Sequence, residues 1–252
     1  MIQAEDVHKS FNGLKVLQGA DLEVEDGEAL ALIGTSGEGK TVFLKHLAGF
    51  YHPDSGRILI DGQDLCRARG KELESLRERF GFLFQGGALF QSMTIYDNVA
   101  FPLREKTDLT DEEIDDRVMN QLELVDLHGA ARKYPAEVSG GMAKRAALAR
   151  SLVESPDIMF FDEPTTGLDP IIAHSIHDLI ASVRERLGLT AIIVTHEIPA
   201  IFSVVDRVAM LHDGVVRFVG TPEELFMTED EVVDNFIRGS MTQPWYWLET
   251  LG

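Results

Sequence analysis

The sequence predicts an α/β protein with a parallel-sheet core, an antiparallel β portion at the N-terminal end and a helical insert around residues 86–155. Three observations carry this. The first sixty residues hold short apolar strands broken by Gly13, Gly19, Gly27 and the Pro53-Asp54-Ser55-Gly56 cluster, residue types that mark turns. From Thr110 onward the apolar residues take helical spacing. In the C-terminal half, continuous apolar runs alternate with helices, as expected when helices cover both faces of a parallel sheet.

Taken in order, the strands fall at Val7–Phe11, Lys15–Leu17, Asp21–Val24, Ala29–Ile33 and Arg57–Ile60, with a helix from about Gly39 to Ala48. Phe82–Phe84 is a further buried strand. Thr110 followed by Glu113 reads as a capping box, and Ile114, Val118, Leu122 and Val125 continue that helix. A second helix starts near Gly141, carries Met142, Ala146, Ala149 and Val153 on one face, and stops before Pro156. Strand Ile158–Asp162, helix Pro170–Leu187, strand Ala191–Thr195 and helix Pro199–Val205 complete the pattern.

The charge balance narrows the partners. With 23 Lys plus Arg against 42 Asp plus Glu, the 252-residue chain carries a formal −19. Nucleic acids and anionic lipid surfaces are gripped mainly by Lys and Arg, so neither is expected as a partner. The acidity is uneven: residues 105–126 hold nine acids and two bases, whereas residues 131–150 hold five bases and one acid. The single cysteine, Cys66, has no partner for an internal disulfide. No signal peptide is visible at the N-terminus, and the longest apolar runs are far below the ~18 residues of a membrane span, so a cytosolic location is expected.

Chemistry is written at three places. Gly34-Thr35-Ser36-Gly37-Glu38-Gly39-Lys40-Thr41 fits G-x-x-x-x-G-K-S/T directly between a strand and a helix. Glycines let backbone N–H groups close around phosphate oxygens, the helix N-terminus adds a favourable dipole, Lys40 reaches the outer phosphates and the Thr41 hydroxyl suits Mg²⁺. Glu38 is an odd neighbour for phosphates, and its side chain is expected to point outward. The apolar strand before Asp162-Glu163 can place one carboxylate on a metal shell and the other beside an attacking water. Ser139-Gly140-Gly141 opens a helix and offers hydroxyl and backbone donors at its positive end.

In this order the residues resemble the ATP-binding subunits of ABC transporters along almost the whole chain. The resemblance implies a P-loop NTPase (RecA-like) core with a helical signature subdomain, spanning residues 1–240 as one ATPase domain. Phe11 matches the aromatic that stacks on adenine, Gly34–Thr41 the phosphate loop and Gln85 the Q-loop glutamine. Ser139-Gly140-Gly141 matches the signature, Asp162-Glu163 the Walker B pair, Gly167-Leu168-Asp169 the D-loop and His196 the switch histidine. Three further stretches, residues 84–90, 97–103 and 140–150, are similar to the Mla/Mce-associated branch, whose ATPases drive lipid movement in bacterial envelopes. Met142 in place of the common glutamine is typical of that branch; Val138 replaces a leucine, and Gln85-Gly86-Gly87 departs from the branch's serine-containing form.

The resemblance implies two copies facing head to tail, each ATP lying between one subunit's phosphate loop and the other's Ser139–Gly141 helix. Lys40, Thr41, Asp162 and Mg²⁺ hold the nucleotide, with Gln85 linking the metal to the subunit surface. Glu163 polarises water, His196 fixes the γ-phosphate and Asp169 works across the dimer. It further implies an integral-membrane permease, a lipid-binding Mce-type protein and a place on the cytoplasmic face of the inner membrane. Another ABC importer, a lipoprotein-release system or a permease-free ABC ATPase are the alternatives. Trp245, Tyr246 and Trp247 in the 241–252 tail are expected either to cross to the partner ATPase or to fold back on their own subunit.

Overall fold

A computed structural model of the chain describes residues 1–240, so the Trp245–Trp247 expectation lies outside the described residues. The chain divides into two compact units: Met1–Cys66 with the segment from Val194 onward, and Arg67–Ile193.

In the first unit, β1 (Ile2–Phe11) and β2 (Leu14–Val24) form a hairpin through Asn12 and Gly13, both at positive φ, as a two-residue turn of matching twist requires. The sequence suggests two strands where β2 is one. Gly19 does not end the strand. At φ 96° it forms a bulge, and the register steps from Val7↔Ala20 to His8↔Gln18 around it. β4 (Ser55–Ile60) pairs antiparallel with β1 and then with the short β5 (Gln63–Asp64), giving the order β2-β1-β4-β5. β3 (Ala29–Ile33) is buried throughout and delivers the chain to α1 (Lys40–Leu47). It pairs in parallel with β9 (Arg207–His212), which pairs antiparallel with β10 (Val215–Gly220). Two short helices follow, α7 (Pro222–Phe226) and α8 (Glu231–Ser240).

The helix expected over Pro199–Val205 is only a 3₁₀ turn, Ala200–Ser203. Asp206 explains the stop: its N–H donates to the Ala29 carbonyl, its carboxylate accepts from the Ala29 N–H, and the chain is already committed to the sheet.

The second unit opens with α2 (Lys71–Glu78) and β6 (Phe80–Leu83), which pairs in parallel with β7 (Ile158–Asp162) at Phe82↔Phe160. β6 begins two residues before the expected strand and ends at Leu83, leaving Phe84 exposed. The insert contains α3 (Ile95–Lys106), α4 (Asp111–Leu124), 3₁₀ turns at His128–Ala130 and Pro135–Glu137, and α5 (Gly140–Leu152). α3 was not individually legible because Pro102 sits within it. The Thr110–Glu113 capping box on α4 is formed in both directions, and Ile114, Val118 and Leu122 are buried. α6 (Pro170–Leu187) starts where expected, whereas β8 (Thr190–Val194) lies one residue earlier than Ala191–Thr195 and neighbours β7. The expected α/β class, antiparallel N-terminal sheet and helical insert are all present.

Candidate functional site

The phosphate loop lies in the first unit, between β3 and α1. A buried strand feeding a helix N-terminus aims the first backbone N–H groups at one spot, which favours an anion. Gly34 is indispensable to the turn. Its φ is 145°, and a Cβ there would lie 2.4 Å from the Leu211 carbonyl oxygen, a main-chain atom with no freedom to yield. Gly39 caps α1 in the left-handed conformation. Lys40 is buried and its ammonium donates to the Gly34 and Thr35 carbonyls at 2.8 Å each, so the cation is already drawn over the loop.

Glu38 does not point into solvent as expected. It accepts from the Thr35 hydroxyl at 3.0 Å and from the Asp213 N–H at 2.7 Å, with His212 Nδ1 3.3 Å away. The carboxylate thus braces the loop against the β9–β10 turn. Phe11 closes β1 as a partly exposed ring, with the Lys9 ammonium 5.5 Å from its centroid and Tyr51 edge-on at 5.9 Å. His196 is exposed on the loop after β8, its carbonyl accepting from the Ile198 N–H.

The second unit collects the carboxylates. Asp162 ends β7 and is buried; Glu163 follows with φ 48°, a left-handed backbone that a non-glycine residue adopts only when its surroundings enforce it. The enforcement is visible. The Thr166 hydroxyl donates to Glu163 Oε2 at 2.8 Å, the Gln85 amide donates to the same oxygen at 3.2 Å, and the Thr166 N–H reaches the Glu163 carbonyl. The Gln85 amide nitrogen is engaged in that bond, which leaves its oxygen as the atom suited to a metal. Within this unit, oxygen donors of this kind and the Asp162 carboxylate are the type that a hard cation such as Mg²⁺ takes.

Ser139 is the N-cap of α5, its hydroxyl accepting from the Met142 N–H at 3.3 Å. Asp169 caps α6 in the same way, accepting from the Ile171 and Ile172 N–H groups at 3.1 Å. The first turns behind the two caps lie close together. A Cβ on Gly141 would lie 2.5 Å from Ile172 Cγ2, and one on Gly140 would lie 3.3 Å from Leu168 Cδ2. Small residues therefore let α6 approach the first turn of α5.

Sequence reasoning missed the residues that hold the segment after Gln85. Asn98 is fully buried on α3: its Oδ1 accepts from the Phe90 N–H, and its Nδ2 faces the Phe90, Met93 and Thr94 carbonyls. Lys144 donates to the Gln85 carbonyl, and Arg150 donates to the Gly87 and Ala88 carbonyls. The available signal was a pair of cations interleaved with the alanines of α5, which periodicity alone assigns to solvent.

Comparison with known proteins identifies the family. The family profile described as "ABC transporter" matches residues 17–166. The chain is 45% identical over 224 residues to the intermembrane phospholipid transport system ATP-binding protein MlaF of Haemophilus influenzae, covering 89% of this chain and 85% of that one. It is 44% identical over 244 residues to the probable ribonucleotide transport ATP-binding protein mkl of Mycobacterium leprae, covering 96% of this chain and 70% of the other. Among solved structures, cbiO1 of Clostridium perfringens, part of the ABC transporter complex cbiONQ, superposes with a TM-score of 0.83 at 33% identity, covering 93% of each chain. An ATP-binding cassette solved as a dimer with ADP and phosphate gives 0.80 at 29% identity, over 88% of this chain and 98% of that one. A cassette fold and an ordered set of nucleotide motifs, matched over most of their length by such relatives, place this chain in the ABC transporter family as an ATP-binding protein.

Proposed function

We propose that the chain is the ATP-hydrolysing subunit of an ABC transporter that powers phospholipid movement between bacterial envelope membranes. Residues 1–240 act as one ATPase domain with its helical subdomain at about 86–155. The observation that carries hydrolysis is the Glu163 carboxylate, fixed by Gln85 and Thr166 at the end of β7. A carboxylate held this way is preorganised to polarise water without waiting for the reaction to orient it. The cargo rests on the similarity to MlaF.

In this reading Phe11 stacks on the adenine, and the 34–41 loop with Lys40 neutralises the phosphates. Thr41, Asp162 and Gln85 would hold Mg²⁺, which when bound offsets charge on the phosphate oxygens. His196 donates to the γ-phosphate. Two copies face head to tail, so that the Ser139–Gly141 helix end of one meets the nucleotide of the other and Asp169 works across the seam. Closure then depends on ATP, because the triphosphate supplies the anion that both helix ends require. The subunit sits on the cytoplasmic face of the inner membrane, held by a permease and working with an Mce-type lipid-binding protein. At −19 it binds neither nucleic acid nor lipid headgroups directly. No described helix is long and apolar enough to cross a membrane.

Glu163→Gln tests the chemistry: ATP binding persists while steady-state turnover falls at least a hundredfold, and full turnover in that variant refutes the assignment. Co-purification of the tagged chain with its membrane subunits, followed by lipid and nucleotide analysis, tests the cargo. Phospholipid enrichment is expected; ribonucleotide without lipid would favour the function named for the mycobacterial relative.

A further inference from the structure

Lys144 lies in the second turn of α5, on its buried side, with only 8% of its surface exposed. Its ammonium donates to the Gln85 main-chain oxygen. Burial pulls its pKa below the ordinary lysine value, and the fields of Glu163 and Asp162 oppose that fall. These two carboxylates, at the end of β7, are the charged groups acting on it. Gln85 is consequently held twice, by Lys144 at its carbonyl and by Glu163 at its side chain.

The same helix grips the rest of the segment. Arg150 donates to the Ala88 carbonyl at 2.8 Å and the Gly87 carbonyl at 3.0 Å, and its guanidinium lies 5.8 Å from the Phe90 ring centroid. Gly87 and Ala88 both have positive φ, 72° and 50°, a conformation that an alanine keeps only where neighbours over-determine it. An apolar residue of similar volume would pack at lower desolvation cost, but it could not donate to the Gln85 carbonyl as Lys144 does.

We propose that Lys144 is a positioning residue for ATP hydrolysis, anchoring the Gln85 main chain from the signature helix and so holding the Gln85 side chain on Glu163. Displacement of α5 then alters the hydrolytic carboxylate through one ammonium group, without any contact between Lys144 and nucleotide. The proposal rests on the reading of Glu163 as the group that activates water.

The test compares Lys144→Met, Lys144→Gln and Lys144→Arg in the full-length chain, with Glu163→Gln in parallel. The readouts are ATP affinity, and kcat and KM for Mg–ATP. Lys144→Met should lower kcat about tenfold or more with KM within about twofold, since only the chemical step loses support. Lys144→Arg, which keeps charge and donor, should restore most of kcat. Lys144→Gln shortens the side chain by one atom and removes the charge that strengthens the donor, so it should show the same split between kcat and KM; it carries the test if the methionine variant fails to fold.

A kcat within twofold of wild type in the uncharged variants overturns the proposal. So does an equal loss in the methionine and arginine variants, which is the signature of packing alone. Turnover by Glu163→Gln overturns the underlying reading instead, whatever the lysine variants do.

Discussion

Asn98 offers the sharpest quantitative test of how the segment after Gln85 is held. The side chain is fully buried, and its amide oxygen accepts from the Phe90 N–H at 2.7 Å. Its amide nitrogen faces the Phe90, Met93 and Thr94 carbonyls at 3.0, 3.2 and 2.9 Å. Asn98→Ala leaves one buried N–H without its acceptor and removes two donors. At about 1–3 kcal/mol for each buried group left unsatisfied, partly relieved by water entering the space, the loss should be about 3 kcal/mol. With an m-value of about 3 kcal/mol/M in urea for a chain of this size, the midpoint should fall by about 1 M. Asn98→Asp preserves the acceptor but sets a carboxylate against three carbonyls, and should cost at least as much despite its near-identical shape. Urea titration followed by far-ultraviolet circular dichroism reads both. A midpoint shift below about 0.2 M for the alanine variant would refute the reasoning, because the network would then contribute no more than an exposed polar contact.

Two other outcomes follow from the phosphate loop and its helix. Gly34→Ala drives a Cβ into the Leu211 carbonyl at a φ of 145°, so it should destabilise by about 2 kcal/mol or more and weaken ATP binding at least tenfold by equilibrium titration. His46, buried on α1, has its pKa lowered chiefly by desolvation, with the nearby Lys9 charge adding and the Val42 carbonyl opposing. Its neutral form is favoured in the folded state, so below the ordinary value of 6.5 the unfolded chain binds more protons and stability falls as pH drops. His46→Gln should flatten the urea-midpoint profile between pH 7.5 and 5.5; an unchanged slope there would count against burial as the cause.

The legibility of the chain in its sequence follows from the range of the forces involved. Local signals were readable: the Thr110–Glu113 box acts within a few residues of itself, and the all-apolar Ile158–Phe161 run marks a buried strand by composition alone. Where an element depends on a distant partner, the pattern misled. Gly19 reads as a turn but becomes a bulge because β1 is there to pair across it, and Pro199–Val205 loses its helix because Asp206 is captured by Ala29. The candidate site residues follow from motif order, which is read along the chain without reference to distant partners. Asn98, Lys144 and Arg150 were not, because their partners are main-chain carbonyls, which carry no signature in the sequence.

The contact between Gly141 and Ile172 has a consequence for fluctuations. With no Cβ between them, the first turns of α5 and α6 touch closely enough that neither can fray without uncovering the other. Their amides should therefore exchange hydrogen with a common opening free energy, as one cooperative unit, although about thirty residues separate them. A single methyl group at position 141 would split that unit in two, so that the helix ends carrying Ser139 and Asp169 open independently while the elements behind them stay folded.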